Sequence, residues 1–465
     1  MASEPVALAL DLGTTRVKVG VVDSDGRLSR VRAVDSPPTL GTGLVRNGDP
    51  EAWREVTLAL VRELDLELGR ELPIGLSSQR SSFLFVDRAT GAAASPLVSW
   101  QDRTAAPWCQ AHHAAAARVS ALSGLVLSPH YVGPKLAQRF ELDPSLRAAC
   151  AGGATVVRTL DAWIQTALEP CEDARNDPSC AARTDLSCAA RTALVDFARR
   201  DYSDELLELF GVPRIALAPL APSVEPRARR VRAHVADQAA AALAVLGESP
   251  GGALISLGTG GFVLVATGAE PVVRPPYLGA PVLARDAQHA RYVLEGTING
   301  GGATADRFAR PPTRWPIADP TPDEFCMPDE NGWGAPFWRA ERSLRFSGAT
   351  RVGTHADLRR VVVEGLCFRA AAILADLSLG RPVTRVALAG GLAHDPFVPR
   401  ALVAILERPI ELVGGFEAGL AAAGRLAAGL EPRESDPPVQ VEPALADDWL
   451  RAKYERWRGW VATLD

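Results

Sequence analysis

Apolar and polar residues alternate through ALALDLGTTRVKVGVVDSDGR near the start of the chain: one run, a Gly-Thr turn, a second run, then a Ser-Asp-Gly turn. A period of two sends successive side chains to opposite faces of a strand, so this unit is a predicted β-hairpin. GGALISLGTGGFVLVATG repeats the arrangement in the second half. The Leu-Gly-Thr triplets stand at 12–14 and 257–259, about half the chain apart, and the whole strand–turn–strand context recurs with them. That repetition predicts a duplicated domain. Asp49-Pro50 opens an amphipathic segment that runs through Leu68 and stops at Gly69, the order of N-cap, first-turn proline and terminal glycine expected of a helix. A short strand leads into GLSSQRSSFLFVD. Further helices are predicted near 101–120, 133–145 and 158–168, from Asp237 in DQAAAALAVLG, and near 358–378 and 395–407 around the strand RVALA. Strands interleaved with helices predict an α/β fold in each half. The division falls near GESPGG, giving domains 1–248 and 249–465.

Composition narrows the picture. At 465 residues, 47% hydrophobic and 23% charged, the chain can fill more than one core. A net charge of -5 provides no global basic field for nucleic acid or an anionic membrane. The start MASEPVALALD lacks the basic residues of a signal peptide, and no apolar run reaches the ~18 residues of a membrane span. Seven cysteines without a Cys-x-x-Cys pair predict neither a zinc ribbon nor a disulfide framework, and fit the reducing cytoplasm. Residues 177–192 repeat an octapeptide, DPSCAART then DLSCAART. It reads as a slipped duplication carried in a surface loop, with Cys180 and Cys188 free of metal. His112-His113 reads as a solvated pair.

Of the 50 basic residues only Lys18, Lys135 and Lys453 are lysines. Where arginine is otherwise used throughout, a lysine hints at a compact ammonium placed against a phosphate. Lys18 follows Gly13-Thr14-Thr15, itself preceded by Asp11. Glycine lets backbone N–H groups approach a phosphate, the hydroxyls add donors, and an acid at the strand end can hold Mg2+ through water. Gly258-Thr259-Gly260-Gly261, Gly300-Gly301-Gly302 and Gly390-Gly391 are further glycine clusters beside predicted strand ends or helix starts, without Walker spacing. Asp237 is equally an N-cap and a candidate acid–base group. Arg80 stands at a strand end, where α/β folds place ligand-binding groups.

Taken in order, DLGTTRVKVGVVDSDGR, SSQRSSFLFVDRATG with LVSWQDRTA, SPHYVGPKL, TDLSCAARTALVDF, YSDELLELFGVPR, VADQAAAAL, SLGTGGF, YVLEGTINGGGA, GWGAPFWR, VVVEGLCFRAA and VALAGGLAHDPF span residues 6 to about 430. This series resembles the FGGY carbohydrate kinases, and around WQDRTA it is most similar to glycerol kinases. The resemblance implies two actin-like domains of the ribonuclease-H type, with a cleft that closes on ATP and a small polyol or sugar. By motif, Asp237 would be the general base and Asp11 would hold Mg2+ through water. Gly13, Thr14, Thr15 and Lys18 would face the phosphates, with Gly258, Thr259, Gly260, Gly302, Gly390, Gly391 and Asp395 around the nucleotide. Arg80, Ser81, Trp100, His130, Asp237, Gln238 and Phe262 would line the substrate pocket. Glycerol kinases carry Glu where this chain has Ser81, Tyr where it has His130, and Asn where it has Asp395. Losing an acid and a phenol from the pocket predicts a polyhydroxylated substrate larger than glycerol.

A nucleotide-gated binding protein of the actin and chaperone type is the alternative, though the Arg80, Asp237-Gln238 and Phe262 set would then be idle. A sugar-sensing repressor would need a helix-turn-helix, and only five residues precede the first strand. A small-molecule partner is expected, with no nucleic acid or membrane, and with room for a homo-oligomer.

Overall fold

The computed structural model describes residues 3–170, 182–225, 229–258, 260–286, 288–308, 323–348, 355–414, 417–433, 438–443 and 448–464. The first hairpin forms as its alternation requires. β1 (Pro5–Leu12) and β2 (Arg16–Asp23) pair antiparallel with Asp11 opposite Lys18, and β3 (Leu28–Asp35) lies antiparallel beyond β2. α1 (Pro50–Leu68) starts where the Asp49 carboxylate accepts the N–H groups of Glu51 and Ala52, and ends at Gly69 with φ +66°. β4 (Ile74–Ser78) runs parallel to β1, α2 (Leu160–Leu168) covers it, and β5 (Val231–Ala236) runs parallel to β4. The sheet order is β5-β4-β1-β2-β3. α3 (Asp237–Leu246) leaves β5 directly.

The second hairpin is β6 (Gly252–Leu257) with β7 (Gly261–Gly268), followed by β8 (Leu278–Ala284) and β9 (Ala290–Ile298), all antiparallel neighbours. After α4 (His355–Leu377), β10 (Arg385–Ala389) lies parallel to β6 and β11 (Ile410–Leu412) parallel to β10. α5 (Ala418–Ala428) and the edge strand β12 (Val439–Val441) complete an order β8-β9-β7-β6-β10-β11-β12. Both sheets share a hairpin, a third antiparallel strand on one side and two parallel strands on the other. The repeated Gly-Thr turns are therefore the same corner of two copies of one topology.

Alternation along the central strands builds three layers of core. Leu8, Leu10 and Leu12 face α1 and α2, whereas Ala7 and Ala9 face the opposite way, toward α3 and α5. In the second sheet Ala253, Ile255 and Leu257 meet α4, and Leu254 turns to α3 and α5. The two alanine-rich helices thus pack between the sheets, and their small side chains permit close approach. At Gly75 a Cβ would lie 1.9 Å from the Ala423 carbonyl oxygen of α5. Gly75→Ala is accordingly expected to destabilise by roughly 1–3 kcal/mol through overpacking against backbone. The denaturation midpoint checks this, and an unchanged midpoint would mean that α5 slides away freely.

Several expectations need correction. The helix anticipated over 101–120 is two helices, Ala106–Ala111 and Ala116–Ser123, joined by a tighter turn at His113–Ala115. Its first residues are pulled into a turn by Asp102, whose carboxylate accepts the N–H groups of Arg46 and Thr104. Of the histidine pair, His113 is exposed as expected, whereas His112 is half-buried and stacks on Trp108 with ring centroids 3.9 Å apart. The second octapeptide copy is no surface loop. Asp185 caps a buried helix, Leu186–Ala190, and Cys188 is buried with it. Residues 171–181, with most of the first copy and Cys180, lie outside the described residues. Among the described residues no helix is long and apolar enough to cross a membrane.

Candidate active site

The C-terminal ends of β1, β4 and β5 converge, and each brings one charged or polar group to the same place. From β1 comes Asp11, whose carboxylate accepts the Ser77 hydroxyl at 2.9 Å. Burial pushes the Asp11 carboxyl up to about 7, and the nearby Asp237 carboxylate adds to the effect. From the end of β5 comes Asp237, the first residue of α3. The N-cap position belongs to Ala236, which supplies no capping side chain, so the N-cap reading of Asp237 is off by one residue. Among the described residues its Oδ1 accepts only the N–H of Gln238, at 2.7 Å. Burial raises the Asp237 carboxyl above its ordinary range, and Arg80 opposes that rise.

Arg80 follows β4. Its side chain is 14% exposed and donates no hydrogen bond among the described residues; Asp237 Oδ1 is 3.8 Å away and Glu295 Oε2 3.9 Å away. Glu295 comes from β9 in the second half and also pairs with Arg191, both side chains being almost fully buried. Gln238 Oε1 is buried with no hydrogen-bond partner among the described residues. Ser81 holds a φ of +65°, an uncommon conformation for a residue with a side chain, and its hydroxyl donates to the Arg191 carbonyl at 2.7 Å. The Ser81 hydroxyl is therefore already engaged by main chain. Trp100 Nε1 donates to Thr14 Oγ1 at 3.0 Å, and Thr14 lies within 3.4 Å of Gln79. His130 Nδ1 is 3.3 Å from the Trp100 carbonyl, and burial holds the imidazole below its ordinary pKa. Lys135, fully buried, donates to the carbonyls of Ser99 (2.8 Å) and Trp100 (3.3 Å), with burial pushing its ammonium down to about 7. It props the Trp100 loop. Phe262 stands on β7 opposite Thr297, half-buried.

On the hairpin tip Thr14 and Thr15 are exposed, and Gly13 is enclosed by the Arg16 carbonyl, which a Cβ would approach to 2.8 Å. Lys18 Nζ reaches across to Glu417 Oε2 at 2.9 Å, at the start of α5. The glycine clusters of the second half do come together. Gly302 N–H donates to the Gly258 carbonyl at 2.7 Å, and Gly390, with φ +93°, would drive a Cβ to 2.5 Å from Leu257. Gly260 lies on the same turn, and Gly391 faces open space. Thr259 lies outside the described residues. Asp395 accepts the Phe397 N–H at 3.0 Å, just before the helix Phe397–Leu406, whose N-cap position is Pro396.

Arg191, Glu295 and Glu417 were not singled out from the sequence. The first two pair over 104 positions, and Lys18 pairs with Glu417 over 399. Their local signal is a lone charge in an apolar segment: Glu295 in YVLEGTI, Arg191 in SCAARTAL. Asp161, Cys188 and His234 form a separate buried cluster within 4.8 Å. His234 lies 2.9 Å from Asp161, and burial with both nearby carboxylates pushes the Cys188 thiol well up, which makes it a poor metal ligand.

Residues 6–245 match the N-terminal domain, and residues 253–428 the C-terminal domain, of the FGGY family of carbohydrate kinases. The chain is similar to the glycerol kinase of Xanthobacter autotrophicus, at 27% identity over 98% of each chain. It is 28% identical to the glycerol kinase of Trichlorobacter lovleyi over 98% of this chain and 99% of that one. Its fold matches the Plasmodium falciparum glycerol kinase with ADP at a TM-score of 0.82 and 17% identity, covering 99% of this chain and 98% of the other. A ligand-bound xylulose kinase from Lactobacillus acidophilus gives the same TM-score, 0.82, at 17% identity over 98% of each chain. Likeness at this level of identity shows the fold, two actin-like domains.

Proposed function

The chain belongs to the FGGY family of carbohydrate kinases and is a phosphotransferase with an alcohol acceptor, and from that premise we propose how its own residues carry out the transfer and which alcohols it takes. Phosphoryl transfer asks for positioning and charge neutralisation more than for covalent chemistry. Asp237 takes the proton of the attacking hydroxyl. Arg80 and Gln238 orient that hydroxyl and its neighbours, with Trp100, His130 and Phe262 as walls. The observation that carries this reading stands beside Asp237: a guanidinium that donates no hydrogen bond among the described residues, its carboxylate neighbours 3.8 and 3.9 Å away, and a buried Gln238 amide oxygen without a partner among them. Buried polar groups without partners are costly, and substrate hydroxyls complete them.

The Asp11 carboxylate, set near a second carboxylate, is an oxygen donor of the kind a hard cation takes. Asp11 would hold Mg2+ through water, and the ion when bound neutralises charge on the transferring phosphates. Thr14, Thr15 and the hairpin N–H groups face the same phosphates. The open face at Gly391, beside the Gly258–Gly302 contact, accommodates the flat base and ribose of ATP. We place the enzyme in the cytoplasm, with the halves meeting at 248/249. The substrate we infer is a polyol or ketose larger than glycerol, because the acid and phenol of glycerol kinases are replaced by a hydroxyl tied to main chain and a neutral imidazole.

Lys18 tests the phosphate side. Its ion pair with Glu417 is partly exposed and contributes at most about 1 kcal/mol. Lys18→Ala should therefore keep its stability and weaken ATP affinity or slow transfer. Lys18→Arg should recover only part of the loss, since a planar head fits a compact phosphate corner poorly. Unfolding without any kinetic defect would make Lys18 a structural residue.

A further inference from the structure

The main chain that enters Asp237 is held from the side by the buried octapeptide copy. Ser187 Oγ accepts the Ala236 N–H at 2.8 Å and lies 2.9 Å from both oxygens of the Asp185 carboxylate, to which it donates its proton. Asp185 is fully buried and also accepts the N–H groups of Ser187 (3.1 Å) and Cys188 (2.9 Å) and the Ser223 hydroxyl (2.9 Å). The carboxylate thus fixes which way the Ser187 hydroxyl points. Its lone pair is left for one N–H, that of the residue immediately before Asp237. Ser223 carries the same hub the other way: its oxygen accepts the Ala284 N–H at 2.9 Å, at the end of β8 in the second half.

We propose that Ser187 is a positioning residue for phosphoryl transfer: by holding the Ala236 N–H, it sets the direction from which Asp237 enters the cleft. The inference rests on Asp237 being the proton acceptor. Ala236 has no capping side chain of its own; the sheet register holds it beside Ser78, and the Ser187 contact fixes the N–H at the point where the strand gives way to the first turn of α3. A shift of about 1 Å in a reacting group costs on the order of 10²-fold in rate. Asp185 acts one step further back, by orienting the hydroxyl.

Steady-state kinetics on Ser187→Ala, Ser187→Thr and Ser223→Ala test it. Ser187→Ala should lower kcat by roughly 10–10²-fold, with KM for ATP and for the alcohol within about threefold. Ser187→Thr keeps a hydroxyl at the same point and should restore most of kcat. Ser223→Ala strips the same carboxylate of a donor without touching Ala236, so its kcat should stay within about threefold whatever its stability. If Ser187→Ala does not fold, Ser187→Cys, a weak and longer acceptor, is read in the same way. An equal fall in kcat for Ser223→Ala, an intact kcat in Ser187→Ala, or a Thr variant no better than Ala overturns the proposal. Should Asp237→Asn lose turnover while Ser187→Ala does not, only this inference fails. A fully active Asp237→Asn removes the reading beneath it.

Discussion

Asp237→Asn is expected to fold, to bind ATP, and to lose about 10²–10⁴-fold in turnover. The reasoning starts from what the substitution leaves alone. Asparagine retains the side-chain oxygen that accepts the Gln238 N–H, so the start of α3 keeps its local bond. The charge lost near the helix N-terminus is worth ~0.3–1 kcal/mol. Arg80 keeps Glu295 as a carboxylate neighbour. Nucleotide contacts are attributed to the hairpin tip and the glycine clusters, which the substitution does not touch. What the amide loses is the ability to take a proton, and that loss appears in the chemical step alone. Thermal stability, ATP affinity and turnover measured on this one variant separate a catalytic from a helix-start role. Near-normal turnover would take Asp237 out of the mechanism.

Glu295→Gln should instead be destabilising, by about 3–5 kcal/mol. Arg191 and Glu295 are among the most buried ion pairs described, with side chains 5% and 3% exposed. Neutralising the carboxylate leaves Arg191 without its anion in a medium where an unpaired charge is expensive. It also removes one of the two carboxylates beside Arg80, so alcohol affinity should fall as well. A double change, Glu295→Gln with Arg191→Met, should recover part of the stability, because the uncompensated charge is gone. The denaturant midpoint of the three proteins is the measurement. A loss below about 1 kcal/mol in Glu295→Gln would place the pair among weak, solvent-screened contacts.

These two residues illustrate what the chain discloses about itself. The hairpins, α1 with Asp49 and Gly69 at its ends, and the strand RVALA are legible because their causes are local: alternation, capping and turn chemistry. Asp237 and Arg80 are legible as strand-end groups through the motif order. The partners that charge the site are not. Glu295 and Glu417 reach it from distant strands and helices, and no local spacing records such pairings. The second octapeptide copy misleads for the same reason. Its Ser, Cys and Ala read as loop composition, but Asp185 turns them into a capped, buried helix. The break at Asp102 is partly of this kind, since its carboxylate accepts the N–H of Arg46, 56 positions away, as well as that of the local Thr104.

The central claim is that this chain phosphorylates a small polyhydroxylated alcohol at the expense of ATP, with a pocket that no longer suits glycerol best. Its most direct test is ATP consumption by the purified protein, followed with product mass, across glycerol, erythritol, pentuloses, hexuloses and sugar acids. The account predicts consumption that requires an acceptor, gives one phosphorylated product per ATP, and runs faster on a polyol or ketose larger than glycerol. ATP hydrolysis indifferent to every acceptor, or efficient turnover of glycerol with the larger alcohols inert, would contradict it.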